Sequence, residues 1–206
     1  MNKLTSLFLV LVLFSLSFGQ ARAADTPDVT VKKATNEILA ILRKNKKLYT
    51  KDSAALYNMV KTQLSPYFDF HTMSKLVLGR NWRSANTDQR TRFANAFRDL
   101  LVRTYAKVIL KYTDEEIVYQ AFRFKPTDKK AIVKTKVVSK KGAPDIPIHY
   151  SFFNKNNVWK VFDVSVEGIS LINNYRSVYQ EKVTKQGLDS VITMIEKDPG
   201  QTKKKK

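Results

Sequence analysis

The side chains able to make or break bonds are few in this sequence, and their spacing is poor for chemistry. There are only two histidines, His71 and His149, 78 positions apart, and no cysteine. A thiolate metal site, a cysteine nucleophile and a disulfide scaffold are therefore excluded. A multi-histidine metal centre lacks ligands, and a Ser-His-Asp triad would have to recruit one of these two rings. Asp163 and Glu167 lie an even number of residues apart near the end of an apolar stretch, so they could share a strand face and serve as an acid/base pair. The plainer reading is that each pairs with one of the many Lys or Arg side chains. His149 falls in a strand pattern as a surface or hydrogen-bonded residue, and neither histidine carries a metal motif. The expectation is a protein that is not an enzyme, with no catalytic residues, no metal and no cofactor.

Charge is the next constraint. The chain has 206 residues with 37 Lys+Arg against 18 Asp+Glu, a formal net charge of +19. That length suits one domain, and such a surplus of cations first suggests nucleic acid or an anionic membrane surface. The N-terminus redirects that suggestion. Lys3 supplies a positive start, Leu7 to Phe18 an apolar run, and Ala21-Arg22-Ala23 a small-x-small cleavage site. Residues 1–23 thus read as a secretory signal cleaved after Ala23, and the apolar run is too short to span a bilayer comfortably. Cleavage removes Lys3 and Arg22 and no acid, taking the charge from +19 to +17. An exported chain of this charge is not expected to meet nucleic acid. Anionic lipid, anionic polymer and acidic protein remain. Residues 24–200 form the expected domain, and 201–206, rich in lysine, a disordered basic tail.

The elements that must position any site follow from periodicity. Val31, Ala34, Ile38, Ile41 and Leu42 recur at helical spacing, with Lys44 to Lys47 closing that helix. Asp52-Ser53 can cap a second helix that Pro66 ends, and Asp69 a third that Gly79 stops. The longest periodic segment runs from Thr87 to Tyr112, capped by Asn86 or Thr87, with Phe93, Phe97, Leu100, Leu101, Tyr105, Val108 and Ile109 on its apolar face. The period then changes to two. Four strands are expected, at Ile117 to Phe124, Ala131 to Val138, Ile146 to Phe153 and Val158 to Val166. Short turn-rich links between them imply an antiparallel meander. Two helices follow, one opened by Ser170 and one after Gly187. The fold class is α+β, a four-stranded antiparallel sheet covered on one face by helices.

The apolar inventory of these elements has two readings. Phe93, Phe97, Tyr105 and Ile109 on the long helix, with Ile148, Tyr150, Phe152, Phe162 and Val164 on strands, could be a packed core. The same residues at the same period would also wall an apolar ligand. Most of the lysine and arginine reads as solvated surface and as a steering field.

Two blocks of sequence carry a resemblance. Leu76-Val77-Leu78-Gly79-Arg80, then Trp82, Ala85, Gln89-Arg90, Phe93, Phe97 and Leu101, form the first. Phe162-Asp163-Val164, Glu167-Gly168-Ile169-Ser170-Leu171, Tyr175-Arg176 and Gly187-Leu188 form the second. Together they resemble the phospholipid-binding component of the Mla system, the toluene-tolerance Ttg2D family, in order along the whole mature chain. The resemblance implies a monomeric periplasmic shuttle for phospholipid. It would run between an outer-membrane lipoprotein–porin complex and an inner-membrane ABC transporter bearing an MCE-domain protein, maintaining outer-membrane lipid asymmetry. It also implies an apolar lipid pocket between sheet and helices. Leu76, Phe97, Leu101 and Tyr105 are expected in one wall, Tyr150, Phe152, Phe162 and Val164 in the other, and Ile169, Ile172 and Tyr175 at the mouth. Arg80 and Arg83 either meet a lipid phosphate there or stand as solvated surface. Two alternatives remain: a basic envelope adaptor with a filled core that binds acidic proteins or polymers, and a carrier of another apolar lipid such as a hopanoid.

Overall fold

The computed structural model describes residues 25–125, 127–139 and 142–197; the expected signal segment and basic tail lie outside the described residues. Six helices come first: α1 (Pro27–Lys44), α2 (Lys46–Lys51), α3 (Ser53–Leu64), α4 (Phe70–Leu78), α5 (Asn81–Ser84) and α6 (Thr87–Lys111). The strands β1 (Glu116–Tyr119), β2 (Lys130–Val138), β3 (Ile146–Lys155), β4 (Val158–Val166) and β5 (Ile169–Ser170) follow, then α7 (Leu171–Gln186) and α8 (Leu188–Lys197).

Helix boundaries sit where local chemistry satisfies the free N–H groups of the first turn. Asp52 accepts from Ala55 N–H to start α3, and Asp69 accepts from Thr72 N–H to start α4. Asn86 and Gln89 form a reciprocal capping box at the start of α6. Gly79 ends α4 with φ +55°, a left-handed conformation that favours glycine, and the side-chain amide of Gln180 on α7 reaches over it.

The sheet is an antiparallel meander in the order β1-β2-β3-β4-β5, five strands where the sequence suggested four. The added strand is two residues long, too short to carry an alternation. Its origin lies in the turn before it, where Glu167 (φ 52°) and Gly168 (φ 81°) fold the chain back so that Ser170 and Ile169 pair with Ser165 and Val166. Asn156 and Asn157 (φ 52° and 62°) make the equivalent two-residue turn between β3 and β4. The first strand is shorter than the pattern suggests. Its ladder stops at Tyr119, opposite Thr135, and beyond it Phe122 and Phe124 stack on each other while Phe124 meets Trp159 edge-on. Ring packing takes over where strand pairing ends. The first helix also ends earlier, at Lys44, with α2 continuing after Asn45.

Three apolar clusters hold these elements. The largest joins α4, α5, α6, α7 and α8 around Phe93, Phe97, Leu100, Ile192 and Ile195, all essentially inaccessible. A second joins α1, α2, α3 and α6 through Leu42, Leu56, Val60 and Ala106. The third packs Val31 of α1 against Ala131, Val133, Phe152, Trp159 and Val161 of the sheet. Phe68 touches both the first and the third. It sits in a short extended segment held to β4: Val161 N–H donates to Tyr67 C=O at 2.9 Å, and Asp69 N–H donates to Val161 C=O at 2.8 Å.

Candidate functional site

The face of the sheet turned toward α1 is apolar along its whole width but not covered along its whole width. Cross-strand pairing puts Ala131, Val133, Thr135 and Val137 of β2 beside Phe152, Tyr150, Ile148 and Ile146 of β3, with Val164 and Val166 of β4 next in register. At one end Ala131, Val133, Phe152, Val161 and Trp159 are buried against α1. At the other, Ile146, Ile148, Tyr150, Val164 and Val166 keep part of their surface accessible. Within that end Thr135 and Val137 of β2 are buried, so the part-covered side chains of this face are those of β3 and β4.

Tyr150 sits at that transition. Burial pushes its hydroxyl up to about 12, only partly opposed by the Thr135 hydroxyl and reinforced by Tyr119, yet its side chain is still only half-covered. A group both deep and accessible is what a cleft wall requires. Thr135 in turn donates to the Ile148 carbonyl at 3.0 Å.

The residues expected as walls divide between two clusters. Leu76, Phe97, Leu101, Tyr105, Phe162, Ile172 and Tyr175 gather in the helical cluster, with Phe97, Leu101, Ile172 and Tyr175 buried and Leu76, Tyr105 and Phe162 half-buried. Tyr150, Phe152 and Val164 belong to the sheet cluster. Tyr105 and Tyr175 are hydrogen-bonded across α6 and α7, and burial followed by that contact raises the Tyr105 pKa. Ile169 is 63% exposed in β5. Phe162 lies where the β3–β4 register shifts at Ser151/Phe152, and its ring stacks on Phe153 at 3.9 Å. That bulge separates it from the row containing Tyr150 and Phe152. Ile148, one of the residues read from the sequence as either core or ligand wall, lies in this row, joined by Ile146 and Val166, which that reading does not single out.

The polar candidates also have definite places. Among the described residues Asp163 does not pair with a lysine or arginine. It accepts from the Ser170 hydroxyl at 2.6 Å and from Ile172 N–H at 3.1 Å, tying the start of α7 to the sheet. Glu167 is exposed in the β4–β5 turn. His71 stands edge-on to Trp82, with ring centroids 4.9 Å apart. Arg80 and Arg83 are exposed beyond the C-terminus of α4. Among the described residues no group of three or more His, Cys, Asp or Glu is placed to hold a metal, and no helix is long and apolar enough to cross a membrane.

A groove of about 400 Å³ lies beside the β3–β4 hairpin, lined by Phe68, Asp69, Phe70, His71, Lys155, Val158 and Lys160. Lys155 crosses it to Asp69 at 2.6 Å and to the Thr72 hydroxyl at 2.9 Å. Burial works to raise the Asp69 pKa, but hydrogen bonds from Lys155 and Thr72 outweigh it and hold the carboxyl below its usual range. Asp69 therefore fastens α4 to the hairpin as an anion.

Fold and site together define an α+β protein whose antiparallel sheet presents a partly open apolar face. Comparison narrows this class. Residues 32–197 match the family model described as MlaC protein, and the chain belongs to the MlaC family. It is 24% identical over 183 residues to the intermembrane phospholipid transport system binding protein MlaC of Haemophilus influenzae, covering 88% of this chain and 86% of that protein. It is 30% identical over 168 residues to the toluene tolerance protein ttg2D of Pseudomonas putida, covering 81% and 77%. The fold matches that of a phospholipid-binding protein from Ralstonia solanacearum, solved in complex with a phospholipid. The TM-score is 0.77 at 23% identity, over 86% of this chain and 98% of the other.

Proposed function

We propose that this chain is a periplasmic carrier that takes phospholipid acyl chains into the half-open cleft on the α1-facing side of its sheet. It delivers the lipid between an outer-membrane lipoprotein–porin complex and an inner-membrane MCE-domain ABC transporter, so maintaining outer-membrane lipid asymmetry. The observation that carries the reading is the row Ile146, Ile148, Tyr150, Val164 and Val166, apolar and in register yet only half-covered. Membership of the MlaC family and the names of its relatives support the cargo class. The N-terminal pattern of residues 1–23 supports export.

The physics requires little else. Burying a methylene is worth about 0.8 kcal/mol, so one 16-carbon tail represents roughly 12 kcal/mol of gross burial, too much for a two-tailed lipid to cross water unaided at a useful rate. A carrier must offer an apolar wall and needs few specific polar contacts. On this reading Leu76, Leu101, Tyr105 and Tyr175 of the helical cluster oppose Tyr150, Phe152 and Val164 of the sheet, and Ile169 and Ile172 flank the entrance. Solvent extraction of the purified mature protein followed by mass spectrometry tests it. Phospholipid at close to one equivalent is expected, and extracts repeatedly free of lipid from a folded sample would overturn the proposal.

A further inference from the structure

The face of the sheet turned away from α1 has a composition that the cleft does not explain. Register places Lys130, Ile132 and Lys134 of β2 on this face, beside Phe153, Ser151 and His149 of β3. Lys160 of β4 pairs with Phe153, and Val158 with Lys155. Two aliphatic side chains here stand open, Ile132 at 56% and Val158 at 48%. Lys130 holds its ammonium over the Phe153 ring, 5.2 Å from the centroid. Three cations at the margins are engaged: Lys136 with Asp145 at 2.7 Å, Lys155 with Asp69, and Lys160 with the Pro66 carbonyl. Lys130 and Lys134, on either side of Ile132, have no carboxylate partner among the described residues.

We propose that this outward face docks the carrier on an anionic phospholipid bilayer, with Lys130 and Lys134 among the headgroup phosphates and Ile132 inserted between them. Three observations select a membrane as occupant. The cations on β2, β3 and β4 of this face are all lysine. Flexible point charges suit a diffuse anionic surface, whereas recognition of fixed carboxylates on a protein favours the planar arginine fork. An exposed isoleucine between two unpaired lysines costs little in water and gains on entering the headgroup region. The open part of this face, at Lys130, Ile132 and Lys134 of β2, lies opposite Ala131 and Val133, because neighbouring residues of a strand point to opposite sides, while Phe153 beside it is covered by Phe162. A carrier seated this way keeps its cargo face free for exchange.

The test uses the full mature chain with vesicles of phosphatidylglycerol and phosphatidylethanolamine, against phosphatidylcholine vesicles, in a flotation assay. Wild type is expected to float with the anionic vesicles at low salt and to be released as salt rises. Lys134→Glu and Lys130→Glu should each weaken association about tenfold, from the loss of one attraction and the gain of one repulsion. Ile132→Ser should weaken it severalfold without changing charge. Lys107→Glu, an equal charge change on the exposed face of α6, is the control. Equal loss from Lys107→Glu would reduce the effect to net charge and overturn the proposal. So would failure of wild type to float, or binding of a polyglutamate peptide through Lys130 and Lys134 in place of vesicles. Lipid content of the same variants is read separately by mass spectrometry. A Lys134→Glu protein that stays off vesicles yet carries lipid keeps this inference distinct from the cargo assignment.

Discussion

The helical cluster and the open end of the sheet are built from the same kinds of residue and are packed differently. In the first, Phe93 and Phe97 stack 5.9 Å apart and Tyr179 meets both rings edge-on, with Phe93 and Phe97 fully sealed. In the second, Ile146, Ile148, Tyr150, Val164 and Val166 stand in register and are only half-buried. Residue type decides that a side chain leaves water where it can. Whether it meets other side chains or a replaceable guest depends on how closely the opposing layer approaches. α6 packs chiefly on α3, α4 and α8, while the sheet is met mainly by α1, α4 and α7, so the longest apolar helix is not the sheet's own cover.

That contrast can be broken by mutation. Phe97→Ala should cost about 3 to 5 kcal/mol in chemical denaturation, as for any sealed aromatic. Val164→Ala, half-covered, should cost less than about 1.5 kcal/mol. Similar losses at the two sites would make the sheet end a filled core. Next in size is an effect on cargo. Tyr150→Glu should lower bound lipid per protein severalfold, while Lys136→Glu on the opposite face leaves it unchanged; equal effects would remove the assignment of the cargo face.

Alkaline titration sharpens the same comparison. Tyr150 ionises near 12 in the folded protein and near 10 when unfolded, so it binds its proton more tightly when folded. Its contribution is fully present below about pH 10 and is lost as pH rises toward 12. Tyr150→Phe should therefore flatten the fall in thermal stability over that interval, and an unchanged slope would place the desolvation elsewhere. Tyr67, pushed up to about 12 by burial and by Glu37, contributes to the same fall and is the residue to vary in parallel. The smallest expected effect is at Arg80 and Arg83. Alanine at either exposed site should shift stability by no more than about 0.5 kcal/mol and leave lipid content intact. A marked loss of lipid in either variant would return these arginines to the headgroup.

Most helices were legible because their end signals are local: Asp52, Asp69, Asn86 and Ser170 each cap the helix that follows them in sequence. The meander was legible for the same reason, since turn chemistry such as Asn156-Asn157 selects its own hairpin. The β4–β5 turn escaped notice because a two-residue strand has no period. Asp163 was misread because its partners, Ser170 and Ile172, come from the next helix, and only the turn at Glu167 and Gly168 brings them within reach.

The sequence by itself determined the lack of thiol and clustered histidine chemistry, the surplus of cations, the helix ends and the alternation that puts Tyr150 and Phe152 on one face and Lys134 and Lys136 on the other. These depend on residues within a few positions of one another. Only the tertiary structure decided which apolar residues are sealed, where a bulge separates Phe162 from that row, and which lysines remain unpaired. Those properties depend on surfaces brought together from distant parts of the chain. Phe97 and Val164 look alike as letters, and they differ because layers close over one and stop short of the other.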